Sequence, residues 1–464
     1  MGFVSLEIGK RALIAQQTAL DVIGHNIANV NTPGFSRQEA MLAQTPPYMA
    51  AGGLGAIGTG VTVTDIRRIR DAFIDAQVRA ELKALGKYET MSTAMEEIET
   101  IFNEPSDSGI RSVLDLFWTS LQDLSNNPES QAVRSTVRER AVSVAEAIKH
   151  TYRQLDQMQK NVDTSIRTKV SQVNTFARQI AELNVEITRA KASGQRPNDL
   201  MDQRDLILDN LAKVLDIRVT EDPAGWCRVT VGGVALVESD RAFELDVQNT
   251  PQGFARVIWP STGLDISITS GELEGYRRMR DVVIPELKTD MNELAASIID
   301  EVNTQHSLGF DYNGDPGGTF FKGTDAVTID VGDAVAGNVA LIAASSSSLV
   351  GDGSNALTIA QLRHKLTMKT DPAGPVNATW DDFVRGVVGR IGVDAEEVNR
   401  MQENTSLLVQ GIENRRQSVC GVSLDEEMTN MIKFQHAYEA AARVITTADE
   451  MLDVLVNRTG LVGR

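Results

Sequence analysis

The sequence predicts a mainly α fold, with a coiled coil built from the two terminal helices, a long helical bundle, and a small β-rich domain inserted into that bundle. Three observations predict it. Heptad stripes occur at both ends: Leu6, Leu13, Leu20 and Ile27 at one, Leu424, Met431, Tyr438, Ile445 and Leu452 at the other. Phe434, Ala441, Ala448 and Leu455 fill the second seam position. A 3.5-residue repeat keeps an apolar seam on one side of a helix, so each end reads as half of a coiled coil. Next, no Gly or Pro occurs between Pro128 and Gly194, room for a single helix of roughly 60 residues, about 90 Å long. Finally, the helical period gives way between Ile217 and Gly271 to β-prone runs bounded by Gly, Pro and Asp.

Taken in order, the first helix is expected over 4–31, ended by Asn31-Thr32-Pro33-Gly34, where Pro33 removes a donor and Gly34 permits a turn. A polar, glycine-rich stretch follows from 44 to 60, then Val61-Thr62-Val63 as a short strand. The helical period returns from Ile66 to about Asn103 through Val78, Leu82, Leu85, Tyr88, Met91, Met95, Ile98 and Phe102. Ser106-Asp107-Ser108 offers caps to a helix striped with Ile110, Val113, Phe117, Leu121 and Leu124, which Asn126-Asn127-Pro128 breaks. The β-prone runs are Cys227–Val231, Gly233–Val237 and Arg256–Trp259. Helix is expected again over 274–307, with Pro285 kinking or dividing it, and over 380–416, with a looser Gly-, Ser- and Asp-rich segment over 309–355. The chain thus divides into a terminal coiled coil (1–33 plus 424–464), a helical body (34–216 plus 272–423) and a β-rich insertion (217–271).

Apolar residues make up 42% and aromatics 5%, a composition suited to helices packed with aliphatic side chains. A net charge of −18 repels phosphate backbones, so nucleic acid is not expected as a partner. Cys227 and Cys420 lie far apart and suggest unpaired thiols rather than a disulfide framework or a metal knuckle. No run of 18 apolar residues occurs, so no membrane insertion is expected. The N-terminus lacks the pattern of a cleaved secretory signal, and Leu6 stands where myristoylation needs Ser or Thr. Alone, these features read as a cytoplasmic protein.

Motifs for chemistry are weak. Gly53-x-Gly55-x-x-Gly58 matches a dinucleotide fingerprint by letter, but Pro46-Pro47 precedes it and a β-prone run follows, so it reads as a loop. Asp311-x-Asn313-x-Asp315 begins like a calcium loop, yet Pro316 holds the turn-glycine position and Lys322 replaces the bidentate Glu, so it reads as a turn. His25, His150, His306, His364 and His436 are scattered, without metal-ligand spacing. Glu426-Glu427 is explained by helix capping. No catalytic residue, cofactor or metal is expected, and the protein is not expected to be an enzyme.

Asn26, Asn29 and Asn31, with Thr32, Pro33 and Gly34, form a different signal: asparagines near a helix end bond backbone through both donor and acceptor and fix a turn. Residues Asn26 to Phe35 resemble the N-terminal signature of bacterial flagellar axial proteins. The continuation Ser36-Arg37-Gln38 is similar to the first hook-associated protein, the FlgK family. The C-terminal block from Gly421 to Phe434, Tyr438 to Arg443 and Thr447 to Leu452 is equally similar. Similarity continues through Glu104-Pro105 to Glu129 and Gly271 to His306, and is weakest between Ile217 and Gly271.

The resemblance implies a structural subunit joining hook to filament, exported through the flagellar type III channel without a cleaved signal and residing in the extracellular flagellum. It implies self-assembly into a ring, contact with the hook protein and a second junction protein, and an export chaperone at the C-terminal helix. Terminal helices would line a central channel, the helical body would form the next layer, and the β-rich insertion would face outward. The nearest alternative is a flagellar hook or distal-rod protein.

Overall fold

The structure, a computed structural model, describes residues 2–49, 56–104, 106–107, 109–369 and 374–458. Helix α1 (Gly2–Ala28) leads into strands β1 (Gln38–Gln44), β2 (Tyr48–Met49), β3 (Ala56–Ile57) and β4 (Val61–Arg68). β1 pairs with β4 and β2 with β3, both antiparallel, in one long hairpin. Helices α2 (Ala72–Phe102), α3 (Ile110–Asn126), α4 (Gln131–Ala192) and α5 (Asn198–Val214) follow. Strands β5 (Arg218–Glu221), β6 (Cys227–Val231), β7 (Val234–Glu238) and β8 (Arg241–Ala242) form an antiparallel meander, and β9 (Asp246–Asn249) pairs with β10 (Ala255–Ile258). Helix α6 (Glu272–Arg278) passes through a π turn (Met279–Val283) into α7 (Ile284–Ser307). After β11 (Phe321–Lys322), β12 (Asp330–Val331), α8 (Asp333–Gly337) and α9 (Ser354–Gln361), the chain ends in α10 (Trp380–Cys420) and α11 (Leu424–Asp453).

The Gly- and Pro-free stretch is indeed one helix: α4 has 62 residues, capped by Ser130, whose side chain accepts from Val133 N. It belongs to two cores. Val137, Ile148 and Leu155 enter one with Phe117, Ile298 and Trp380, where Trp118 stacks on Trp380 at 5.2 Å. Ile166, Val173 and Ile180 enter the other, with Leu211 of α5 and Val229, Leu236 and Trp259 of the β-rich segment. Pro285 has no N–H to give the carbonyl four residues back, and the π turn just before it absorbs the mismatch. That turn is braced by Arg280, which donates to Asp163 and Ala255 O, each at 2.7 Å.

Several sequence expectations are corrected. α1 ends at Ala28 rather than near Asn31, because the Asn29 side chain donates to His25 O at 3.0 Å and competes with the helical ladder. Helix does not begin at Ile66: residues 61–68 are strand, and α2 starts after Asp71, whose carboxylate accepts from Phe73 N and Ile74 N. The stretch from 44 to 60 is no simple loop, since Tyr48–Met49 pairs with Ala56–Ile57 within it, and Gln38–Gln44 ahead of it pairs along β4. Gly53, Gly55, Pro105 and Ser108 lie outside the described residues, while Gly58 is exposed after β3. The N-cap position of α3 is Gly109, without a side-chain cap bond of its own. Glu104 Oε1 accepts from Arg111 N at 3.0 Å, an approach a Cβ on Gly109 would block. Asp311 closes a turn by accepting from Asn313 N and Asp315 N. Both cysteines are free and buried.

Candidate assembly site at the base of the paired ends

α1 and α11 pack antiparallel: Asn26 meets Glu427, and Gly9 lies so close to Ile445 that an added Cβ would fall 2.6 Å from Ile445 Cγ1. Gly9 shares a helix face with Leu6 and Leu13, three and four residues away, so α11 covers the side carrying the predicted stripe. The hairpin covers another side of α1. Arg11 donates to Thr59 O, and a Cβ on Gly60 would touch Ile8 Cα. Between these two covers, Ala15, Ala19, Val22 and Ile23 are the buried apolar side chains of α1 among the described residues.

The predicted seam is therefore only partly enclosed. Leu6, Leu13, Leu20, Ile27, Met431, Phe434, Ile445 and Leu452 are half-buried, whereas Leu424, Tyr438 and Leu455 are exposed. Ala441 and Ala448 are buried, as small residues at a close helix crossing are. Met428, Ile432, Val444 and Met451 add further exposed apolar surface to α11.

The asparagine turn sits at the base of this pair. Asn26, 1% exposed, accepts from Gln38 N at 2.9 Å and donates to Gln38 O at 2.9 Å and to Glu427 Oε2 at 3.1 Å. One side chain thus ties the first helix, the first strand and the last helix together. Thr32 Oγ donates to Asn29 Oδ1, Gly34 has φ of +80° and packs on Leu206, and Asn31 and Pro33 are exposed.

The next three residues each reach a different element. Ser36 donates through its backbone N and its Oγ to Asp202 of α5, at 2.9 and 2.7 Å. Arg37 N donates to Cys420 O at the end of α10, while its guanidinium reaches Glu427 at 2.7 Å and Glu426 at 3.1 Å. Gln38 donates to Asp199 and accepts from Asn198. Capping alone therefore does not account for Glu427: it is 1% exposed and joins Arg37 to Asn26.

Beneath the turn lies a cluster of buried ion pairs that sequence reading missed. Arg68 bonds Asp202 at 2.8 Å and Asp205 at 2.6 Å, and Arg70 bonds Asp75 at 2.7 Å. Arg79 bonds Asp209 at 2.7 Å and Asp205 at 3.0 Å, and Arg416 bonds Asp209 at 2.6 Å. Burial alone would raise the Asp205 carboxyl, but Arg70, Arg68 and Arg79 outweigh it and hold it at about 2. The cluster binds β4, α2, α5 and α10 through charge pairs that cannot be broken singly without stranding a buried charge. A signal for it was present: Asp202, Asp205 and Asp209 recur at three and four residues along an otherwise apolar face of α5.

No group of three or more metal-ligating side chains occurs among the described residues, and no described helix is long and apolar enough to cross a membrane. What this site does chemically is hold: it fixes the direction in which a half-covered helix pair leaves the body.

Comparison with known proteins gives that arrangement a context. Residues 95–321 match the flagellar hook-associated protein FlgK helical domain, residues 6–35 the flagella basal body rod protein, and residues 418–458 the flagellar basal body rod FlgEFG protein C-terminal. Flagellar hook-associated protein 1 of Bacillus subtilis (strain 168) is 34% identical over 100% of this chain and 99% of its own. That of Escherichia coli (strain K12) is 27% identical over 96% of this chain and 98% of its own. The solved structure of the flagellar hook junction protein FlgK from Burkholderia pseudomallei shares the fold, with a TM-score of 0.65 at 17% identity, over 74% of this chain and 100% of that one. On the full-length match, this chain belongs to the flagellar hook-associated protein 1 (FlgK) family.

Proposed function

We propose that this protein is the structural subunit joining the flagellar hook to the filament, and that copies assemble into a ring through the paired terminal helices. The supporting observation is the α1–α11 pair, which keeps apolar surface uncovered along its length: Ile14, Met428, Ile432, Val444, Met451 and Leu455 are all exposed. A surface of this kind is completed by another chain. Leu6, Leu13, Leu20, Ile27, Met431, Phe434 and Ile445 are then half-made contacts, and Leu424, Tyr438, Leu452 and Leu455 form their margin. The Asn26–Gly34 turn sets the angle of the arm. Terminal helices line the channel, the helical body surrounds them, and the β-rich insertion lies outermost. The neighbours along the axis are the hook protein and a second junction protein, and the last helix is escorted during flagellar export by a chaperone.

Deletion of the gene followed by electron microscopy tests the junction role. Hooks without filaments, with filament protein shed to the medium, are the expected result, and normal filaments would overturn it. Complementation with Leu20→Asp tests the helices: the body folds, but incorporation fails.

A further inference from the structure

We infer that a basic cleft on the body takes an acidic shoulder of a second copy of this chain, a charged contact that is additional to the one between terminal helices and rests on the ring assembly proposed above. The cleft, about 1240 Å³, opens between β4, α2, the α4–α5 turn and β5, and is lined by eight basic side chains against four acidic ones. That balance is the reverse of the whole chain, whose net charge is −18. Its floor is occupied, because Arg68, Arg70 and Arg79 are committed to buried aspartates. Its rim is open. Arg67 and Arg218 are exposed and form no ion pair among the described residues, and Asp216, nearest in charge to Arg218, is already bonded by Lys83 at 2.8 Å.

The complement lies further along the same helix. Ser92 donates to Asn399 at 2.6 Å and Arg416 sits 3.6 Å from Asp75, which fixes α2 and α10 in one antiparallel register. In that register Glu96, Glu97 and Glu99 lie level with Asp394, Glu396 and Glu397, and all six are exposed. None of the six forms an ion pair among the described residues, and Arg400 beside them pairs with none. Six carboxylates without counter-charges repel one another, a cost that an incoming basic surface removes.

The placement of the two patches fits repeated copies. Arg79 and Glu97 are about 27 Å apart along α2 at 1.5 Å per residue. Glu96 and Glu99 project from the side of α2 turned away from Ala76, Ala80 and Lys83, which line the cleft. Complementary patches at different heights on opposite sides give a heterologous contact, which passes from copy to copy and closes a ring or continues a helix.

The test is a charge exchange scored by incorporation at the junction in cells lacking the native gene. Arg67 faces Glu39 across the hairpin, so it is neutralised rather than reversed, as R67Q with R218E. The shoulder is reversed as E96K with E99K. Each pair alone is expected to lower incorporation about tenfold or more, with the melting of the purified protein unchanged. All four changes in one chain are expected to recover most of the loss. Normal incorporation of either pair overturns the proposal. Failure of the combined variant to recover overturns the second copy as occupant and points to another acidic partner. Leu20→Asp in parallel separates the readings: if it blocks incorporation while the charge variants assemble normally, the terminal-helix reading stands and the cleft contact falls.

Discussion

Asn26 shows how much one side chain decides here. It satisfies both backbone groups of Gln38 and still donates to Glu427, so three segments meet at a single amide. Asp205 does comparable service below it, between Arg68 and Arg79. Asp205→Asn should lower stability by about 3–5 kcal/mol, because it leaves buried guanidinium charge uncompensated; the shift in urea midpoint measures it. The pH dependence has two parts. His306 is buried at the end of α7, where its Nδ1 donates to Gly318 O and its Nε2 accepts from Ala343 N, and burial pushes it down to about 4. A depressed histidine is stabilising above its unfolded pKa, so stability should fall as pH drops from about 6.5 toward 4, by about 3 kcal/mol in full. Asp205, held at about 2, contributes above the ordinary carboxylate range and is lost only as pH falls through that value. Urea midpoints measured from pH 7 down to 2 should therefore drop in that order, and His306→Gln should remove the first phase.

Among the elements, α1 is the one whose surroundings the sequence described least well. Its heptad stripe is legible because leucines at sevens stand out, yet the buried face is Ala15, Ala19, Val22 and Ile23, covered in part by the hairpin. The hairpin itself was half visible. Val61–Arg68 alternates as a strand should, but Gln38–Gln44 reads QEAMLAQ, with no β-branched residue, and is extended because β4 and α1 hold it. By contrast α4, the break of the helix near Pro285 and the runs of β6, β7 and β10 follow from local chemistry, which is why composition and period sufficed for them, though not for the π form of that break. The ion-pair cluster was hidden for the opposite reason: its members come from four elements spread between residues 68 and 416, and only folding brings them together. Because α1 and α11 are half-covered, the pair should open readily in the free protein. Amide exchange should show weak protection at Leu13 and Ile445 beside strong protection at Ile148; equal protection would count against the half-made contacts.

At the scale of the molecule, α4 runs through both hydrophobic cores without a glycine or proline, so body and β-rich segment share one strut. The paired ends stand apart from that shared core, attached through the Asn26 turn and the charges beneath it. Their partners are separated by 401 residues in the chain. Closing so long a gap costs less entropy once the body has brought its flanks together: α2 and α10, once packed, leave a short reach between Arg37 and Glu427. The arm therefore leans on the packed body, and it requires the final helix. A copy that stops short of Glu427 could still fold its body, yet would have a lone α1 and an unanswered Arg37. In the assembly proposed above, pairing the two ends would make each subunit certify its own completeness before it offers a surface to the next.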